Sequence, residues 1–300
     1  MPLRLLGAAI GAAYAYRQHR KRRSAQQTAQ YGVPAALPTS ASTASHMASS
    51  SAHDAGLVAP TTNTTLRAGS IRLFYIEPGN GDISIHLQDF IIGTQPKYIA
   101  LSYVWGSNDN KRQIRCDQSP LAVTRNLHEG LLALRDVLSG GGYGWADAIC
   151  INQANSKEKS DQVLQMDRIF GGAETVLASL GAHVNNSELV FARASIVEEL
   201  LNSLEGAASQ HRPQLQSQVD REFSPQFWHA LIQIPQLPWF GRLWTYQEAA
   251  LARSLLLYCG IDTITWDSIA TCFRSEQTMK MMATVGPADE KIIRPISAFE

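Results

Sequence analysis

The chain has 300 residues, 45% of them hydrophobic, which is ordinary for a globular protein and leaves room for one large domain or two small ones. Its 26 Lys and Arg are balanced by 26 Asp and Glu, so no domain-wide basic footprint marks a nucleic-acid binder. The four cysteines, Cys116, Cys150, Cys259 and Cys272, have no short pairing interval, and two lie in apolar runs as buried thiols do, which points to a reducing compartment.

Residues 1–53 contain no acid but carry Arg4, Arg17, Arg20, Lys21, Arg22 and Arg23. Only residues 5–16 of this stretch are strongly apolar, too short a run to span a bilayer. Three readings fit it: a mitochondrial presequence, a short membrane-surface helix through residues 5–23, or an unstructured basic arm. Residues 24–65 are rich in Ala, Ser, Thr, Gln and Pro with few large apolar side chains. Residues 1–65 are therefore set apart as a disordered basic or targeting arm. The cytoplasm is the expected location, with a mitochondrial or membrane-associated one if the arm acts as a signal.

Order is expected from Leu66. Ile71–Ile76 and Ile83–Leu87 alternate at period two around Pro78-Gly79-Asn80-Gly81 and predict a hairpin. Tyr98–Gly106 is too apolar for a surface strand and predicts a central one, followed by a polar loop over 107–112. Thr124 caps a helix whose apolar face is Leu127, Leu131, Leu134 and Leu138. Trp145–Ile151 has the length of a buried strand with one acid in it, Asp147. Asn155, with Glu158 three residues on, predicts an N-cap and capping box for a helix presenting Val163, Met166, Ile169 and Phe170, which Gly171 and Gly172 stop. Thr175–Leu180 is then the second strand of a strand-helix-strand unit with a parallel pair.

Residues 188–204 repeat helical spacing, and 205–222 read as a loose surface segment. Pro238 heads a dense aromatic stretch that becomes helical after Arg242, with Trp244 and Glu248 four apart on one face. Leu255–Cys259 is a strand and Trp266 opens another helix. These elements sum to an α/β fold, a mainly parallel sheet with helices on both faces. Residues 66–260 are read as the domain and 261–300 as the start of a helical extension that is cut short.

Several standard sites are missing from the sequence: no phosphate-cradling G-x-x-x-x-G-K-[ST], no G-x-G-x-x-G after a strand, no G-x-S-x-G elbow, and no His or Cys pair at metal spacing. What remains is polar residues at strand ends, where open α/β sheets hold their ligands. Ser102, Tyr103, Trp105 and Gly106 follow one strand, Asp147, Asn152 and Gln153 lie on and after another, and Glu248 stands on the helix behind Trp244. An acid among aromatics is partly desolvated and its ionisation tunable, as a catalytic carboxylate requires. The bland alternative is that Asp147 only holds a neighbouring loop and that Glu248 pairs with Arg242 or Arg253.

Four blocks, Tyr98–Gly106, Trp145–Gln153, Glu158–Val163 with Met166, and Pro238–Glu248, resemble in order and spacing the successive motifs of the fungal heterokaryon incompatibility (HET) domain. The resemblance covers roughly residues 70–260. It implies a filamentous fungus and a role in self/non-self recognition that ends in programmed death of incompatible fused cells, with other incompatibility proteins or a second copy as partners. The order strand-Ser-Tyr, acid-bearing strand and W-x-x-x-E helix is also similar to Toll/interleukin-receptor (TIR) domains, which have a Rossmann-like fold. Some of these hydrolyse NAD through the glutamate that Glu248 matches, with Trp244 as the motif tryptophan. This second resemblance implies Glu248 as catalytic residue, the other strand-end residues as substrate-binding, and NAD as substrate rather than cofactor. A non-enzymatic signalling module of the same fold is the alternative. Four positions depart from the HET pattern: Ala146 where a branched residue is usual, Gly171 and Gly172 for bulkier residues, and Ser179 for a tryptophan. They bear on activity more than on fold and keep an inactive copy as an open alternative.

Overall fold

In the computed structural model, residues 65–284 are described. The basic arm and the residues after 284, and the expectations that fall on them, lie outside that range.

The hairpin forms as its alternation dictates: β1 (Ser70–Ile76) pairs antiparallel with β2 (Ser84–Ile91), Ile76 opposite Ile85. β3 (Tyr98–Tyr103) is buried at every residue, which suits a central strand, and the chain leaves the sheet at Val104, earlier than the apolar run suggests. The polar loop is shorter than expected. Lys111–Cys116 is a strand, β4, closed against β5 (Ser119–Thr124) by Asp117 and Gln118, both at positive φ as a tight hairpin turn requires. Thr124 then caps α1 (Arg125–Leu138) by accepting from the Leu127 amide at 3.3 Å.

The stretch from Trp145 to Ile151 is not one strand. The strand is β6 (Gly142–Trp145), and Asp147–Cys150 is a single helical turn, α2. The Asp147 carboxylate accepts from the next amide, Ala148 N, at 2.8 Å, and Cys150 N reaches back to the Ala146 carbonyl at 2.8 Å, so the backbone closes on itself instead of extending a ladder. Asn155 caps α3 (Ser156–Val163) by accepting from Lys157 N and Glu158 N, both at 3.1 Å. The helix breaks at Leu164–Gln165 before α4 (Met166–Gly172). Gln162 turns inward to the Ser70 carbonyl at 3.1 Å, which rotates Val163 out to 41% exposure and leaves Met166, Ile169 and Phe170 facing the core.

β7 (Thr175–Ser179) follows, then α5 (Ser187–Gly206). The segment read as loose, 205–222, carries a helix, α6 (Arg212–Glu222), and α7 (Pro225–Gln233) follows it. The polar α6 is pinned on α5 by Val219, fully buried, and by Arg193 donating to Glu222 at 2.8 Å. Two short 3-10 turns, 234–236 and Pro238–Gly241, lead into α8 (Leu243–Leu251), after which β8 (Leu255–Cys259), β9 (Asp262–Thr265), α9 (Trp266–Arg274) and α10 (Glu276–Thr284) complete the described chain.

The nine strands form one sheet in the order β5-β4-β2-β1-β6-β3-β7-β8-β9. Parallel pairing is concentrated in the middle, β6-β3-β7-β8, with antiparallel ribbons at both ends. The expected partners β6 and β7 run parallel but do not touch, because β3 lies between them. Helices cover both faces, as α/β layering demands. Leu101 turns to α1, where its side chain would crowd a Cβ at Gly130, and Gly144 lets β6 pass under Phe74 and Leu134, which a Cβ there would meet at 2.5 and 2.6 Å. The neighbouring residues, Trp145 and Ser102, point the opposite way, toward Phe170 and Trp239.

Candidate active site

Ser102, the last residue but one of β3, faces α8 and is 2% exposed. A buried hydroxyl needs partners, and it has two: it accepts from Trp239 Nε1 at 2.8 Å and donates to Glu248 Oε2. The 3-10 turn at Pro238–Gly241 aims the Trp239 indole, and Thr245 Oγ1 ties that turn to the helix through the carbonyls of Trp239 and Arg242 at 3.0 and 2.7 Å. Arg242 donates to the Tyr103 carbonyl, and Arg253 Nε donates to the Gly171 carbonyl at 2.9 Å. Neither arginine pairs with Glu248.

Asp147 forms a second polar knot beside the first. Its Oδ1 accepts from the Tyr103 hydroxyl at 3.1 Å and from Ala148 N, and its Oδ2 accepts from Trp105 Nε1 at 2.8 Å. Gln153 Nε2 donates to the Asp147 carbonyl at 2.8 Å and so holds the turn that carries the acid. Asn152 turns away from the cavity: its amide donates to Glu158 Oε1 at 2.9 Å and its side chain accepts from Ala154 N at 3.1 Å. Gly106 sits at φ +72°, and a Cβ there would press on Asn126, whose Nδ2 donates to the Val104 carbonyl at 3.0 Å.

Leu101, Ser102, Tyr103, Trp145, Asp147, Met166, Phe170, Arg242 and Glu248 line a narrow pocket of about 20 Å³. Burial pushes the Glu248 carboxyl above its usual range, partly offset by the hydrogen bond from Ser102 and the nearby Arg242 guanidinium, while the Asp147 charge pushes it further up. Burial likewise raises Asp147, against the hydrogen bonds from Trp105, Tyr103 and Ala148. The Tyr103 hydroxyl is pushed well up by burial and by the adjoining Asp147 charge. The chemical content is two desolvated carboxyls, one guanidinium and an aromatic wall at the carboxyl ends of central parallel strands.

Of the residues proposed from sequence, Ser102, Tyr103, Asp147 and Glu248 line this cavity together, and Trp105 covers Asp147 from outside at 42% exposure. Gly106, Asn152 and Gln153 shape the loops around it. Trp244 is 56% exposed and lines no part of it. The aromatic wall comes instead from Trp145 and Phe170, whose rings meet edge-on at 5.4 Å, with Trp239 behind Ser102. Trp239 and Arg242 were not singled out as site residues from sequence. The available signal was an indole donor in a buried run, which must find an acceptor.

A third polar group was misread from sequence. Glu158 does not reach back to the Asn155 amide; it is 2% exposed and accepts from Leu66 N at 3.1 Å, Asn152 N and the buried Arg72 guanidinium at 3.3 Å.

Among the described residues no helix is long and apolar enough to cross a membrane. No solved structure matches the chain. Over 228 residues the chain is 27% identical to Heterokaryon incompatibility protein 6, OR allele, of Neurospora crassa, a match that takes in 65% of this chain and 34% of the relative. The chain thus spans about a third of that protein's length. The family model described as Heterokaryon incompatibility protein (HET) matches residues 98–248, from the first residue of β3 to the glutamate that meets Ser102. With half its length under that match, the chain belongs to the heterokaryon incompatibility (HET) family.

Proposed function

We propose that this chain is an effector of fungal heterokaryon incompatibility and that its killing activity is cleavage of the nicotinamide-ribose bond of NAD at Glu248. The observation that carries the reading is the Glu248 carboxyl, desolvated at a strand end and held by Ser102. Breaking that bond passes through an oxocarbenium-like state, which a nearby carboxylate stabilises electrostatically. Nicotinamide is a good leaving group, so one acid and an aromatic wall suffice. The matched motif, Trp244 with Glu248, fits the same chemistry through its similarity to the TIR glutamate, with Trp244 outside the pocket.

A cavity of about 20 Å³ does not admit a nucleotide, which needs a site of roughly 300 Å³ or more. On this reading the pocket widens to take its substrate, and the bonds from Trp239 to Ser102 and from Arg242 to Tyr103 are ties that hold its present width. The small volume also favours a second reading. In it the domain is a signalling module whose exposed apolar side chains, Trp105, Val163, Leu164 and Trp244, meet a partner or a second copy.

NAD content in fungal cells expressing the full chain, wild type beside Glu248→Gln at matched protein level, separates the two. Depletion and death that both vanish in the variant support the enzyme. Death with NAD unchanged refutes the enzyme and supports the module.

A further inference from the structure

His86 lies on β2, and each of its ring nitrogens faces a carboxylate: Nε2 stands 2.9 Å from Glu77 Oε1, and Nδ1 stands 3.4 Å from Asp117 Oδ1. Glu77 follows β1, and Asp117 sits in the turn between β4 and β5. A neutral imidazole carries one N–H and one lone pair, so in that form the ring would turn a lone pair on one of the two acids. Only the imidazolium donates to both. In keeping with this, the hydrogen bond to Glu77 raises the His86 pKa above the ordinary histidine value, and the Glu77 carboxyl is lowered in return by its hydrogen bonds with His86 and Ser84.

Asp117 is also where the outer ribbon is fastened. β4 meets β2 in parallel at two residue pairs, Ser84 with Arg115 and Ile85 with Cys116. The amides of Arg115 and Asp117 donate there to the Ile83 and Ile85 carbonyls at 2.8 and 3.0 Å, and the Asp117 carboxylate accepts from Leu87 N at 3.3 Å. Past this point β4 turns into β5 while β2 runs on to Ile91. The ribbon leads directly out of the loop that carries Trp105 to Asp147. The other groups around the clasp are Tyr75, opposite His86 on β1; Arg115, whose charge acts on Glu77; and the Cys116 thiol, 3.9 Å from Asp117 Oδ2.

We propose that His86 is a pH-sensitive clasp: as the imidazolium it bridges Glu77 and Asp117 and fastens the β4–β5 ribbon to β2, and its deprotonation loosens that ribbon while the middle of the sheet stays closed. The clasp is independent of the NAD reading. The native state holds the proton more tightly than the unfolded chain, so the added hold is complete below about pH 6.5 and is lost as pH rises through the folded His86 pKa. The three side chains are 38, 49 and 36% exposed, which keeps the effect local and modest, a fall in ribbon protection of about two- to fivefold.

The full chain tests this in two steps. The His86 ring signals, assigned by their loss in His86→Gln, are followed by NMR from about pH 5.5 to 8.5, and the expected midpoint lies above about 6.5. Asp117→Asn keeps an acceptor for Leu87 N and suits the positive φ of that turn, so it removes the charge with little strain and should lower the midpoint; Glu77→Gln, at an exposed position, should do the same. Amide exchange, corrected for intrinsic rates, is then read at Leu87, Arg115 and Asp117. Protection there is expected to fall as His86 loses its proton, and to hold steady at the Val176 and Leu180 amides that donate to Ser254 and Tyr258. A wild-type midpoint at or below about 6.5, a midpoint unmoved by both substitutions, or junction protection that ignores the titration overturns the clasp. The wild-type titration and exchange decide the matter even if a variant fails to fold.

Discussion

Replacing Glu158 by Ala separates a buried structural carboxylate from an ordinary helix-surface one. Glu158 joins three elements: the chain entry at Leu66, β1 through Arg72, and the loop after Asp147 through Asn152. The alanine leaves two amides without their acceptor, and leaves Arg72, 0% exposed, without one of its carboxylates while Asp89 Oδ1 stays at 2.8 Å. An orphaned buried donor costs about 1–3 kcal/mol, and breaking a buried ion pair about 3–5 kcal/mol, so the expected loss is about 3–5 kcal/mol. Because domain stabilities are about 5–15 kcal/mol, this is a large fraction of the whole. At about 2–4 °C per kcal/mol for a domain of this size, Tm falls by about 6–20 °C. The control is the neighbouring Lys157→Ala, which removes an exposed pair with Asp161 across one helical turn and should cost about 0.5 kcal/mol or less. Thermal and urea unfolding of the full chain, followed by circular dichroism, reads both variants. Equal, small losses in the two would refute the claim that Glu158 fastens the domain.

Trp145→Ala, which empties a fully buried site, is expected to cost about 3–5 kcal/mol and abolish the cooperative melt at 37 °C, whereas Glu248→Ala keeps the melt; matched losses in the two would remove Glu248 from the list of site residues. Glu248→Gln should change stability with pH in a defined direction. Burial raises the folded carboxyl above its unfolded value, so the native state binds the proton more tightly and ionisation costs stability as pH rises from the ordinary carboxylate range through the folded pKa. The variant is then more stable than wild type at neutral pH, and the gain disappears in acid; a gain that grows on acidification contradicts the desolvation. The four cysteines are buried thiols, and Cys150 is pushed up by burial to about 12, so iodoacetamide at pH 7.5 should label the native domain slowly and the urea-unfolded chain fully. Rapid native labelling of Cys150, read by peptide mass, would contradict its burial.

Where a single strong local signal coincided with burial, the sequence was legible. The β1–β2 hairpin, the all-buried β3, the Thr124 and Asn155 caps and the helix opened by Trp266 all rest on a period or a cap that nothing competes with. The misreadings share one cause, side chains whose partners are far away in sequence. Asp147 closes a helical turn because Tyr103 and Trp105 arrive to satisfy its carboxylate, which no window over 145–151 contains. Glu158 forgoes its capping box because Leu66 and Arg72 supply better-buried partners. In β4 the charged residues of KRQIRC hide a strand whose inward positions are only Ile114 and Cys116. The site divides the same way: the strand-end rule brings out Ser102, Tyr103, Asp147 and Glu248, while Trp239 enters by hydrogen bonding to a residue 137 positions earlier.

The bond from Ser102 to Glu248 spans 146 positions of sequence. At synthesis rates of about 5–20 residues per second, the two halves of the pocket leave the ribosome about 7–30 s apart. An unfinished or prematurely ended chain therefore carries the serine, the tyrosine and the aspartate without the acid that completes them. On the proposed reading, a chain that stops before Glu248 lacks the acid that would do the harm, so translation itself supplies a first safeguard.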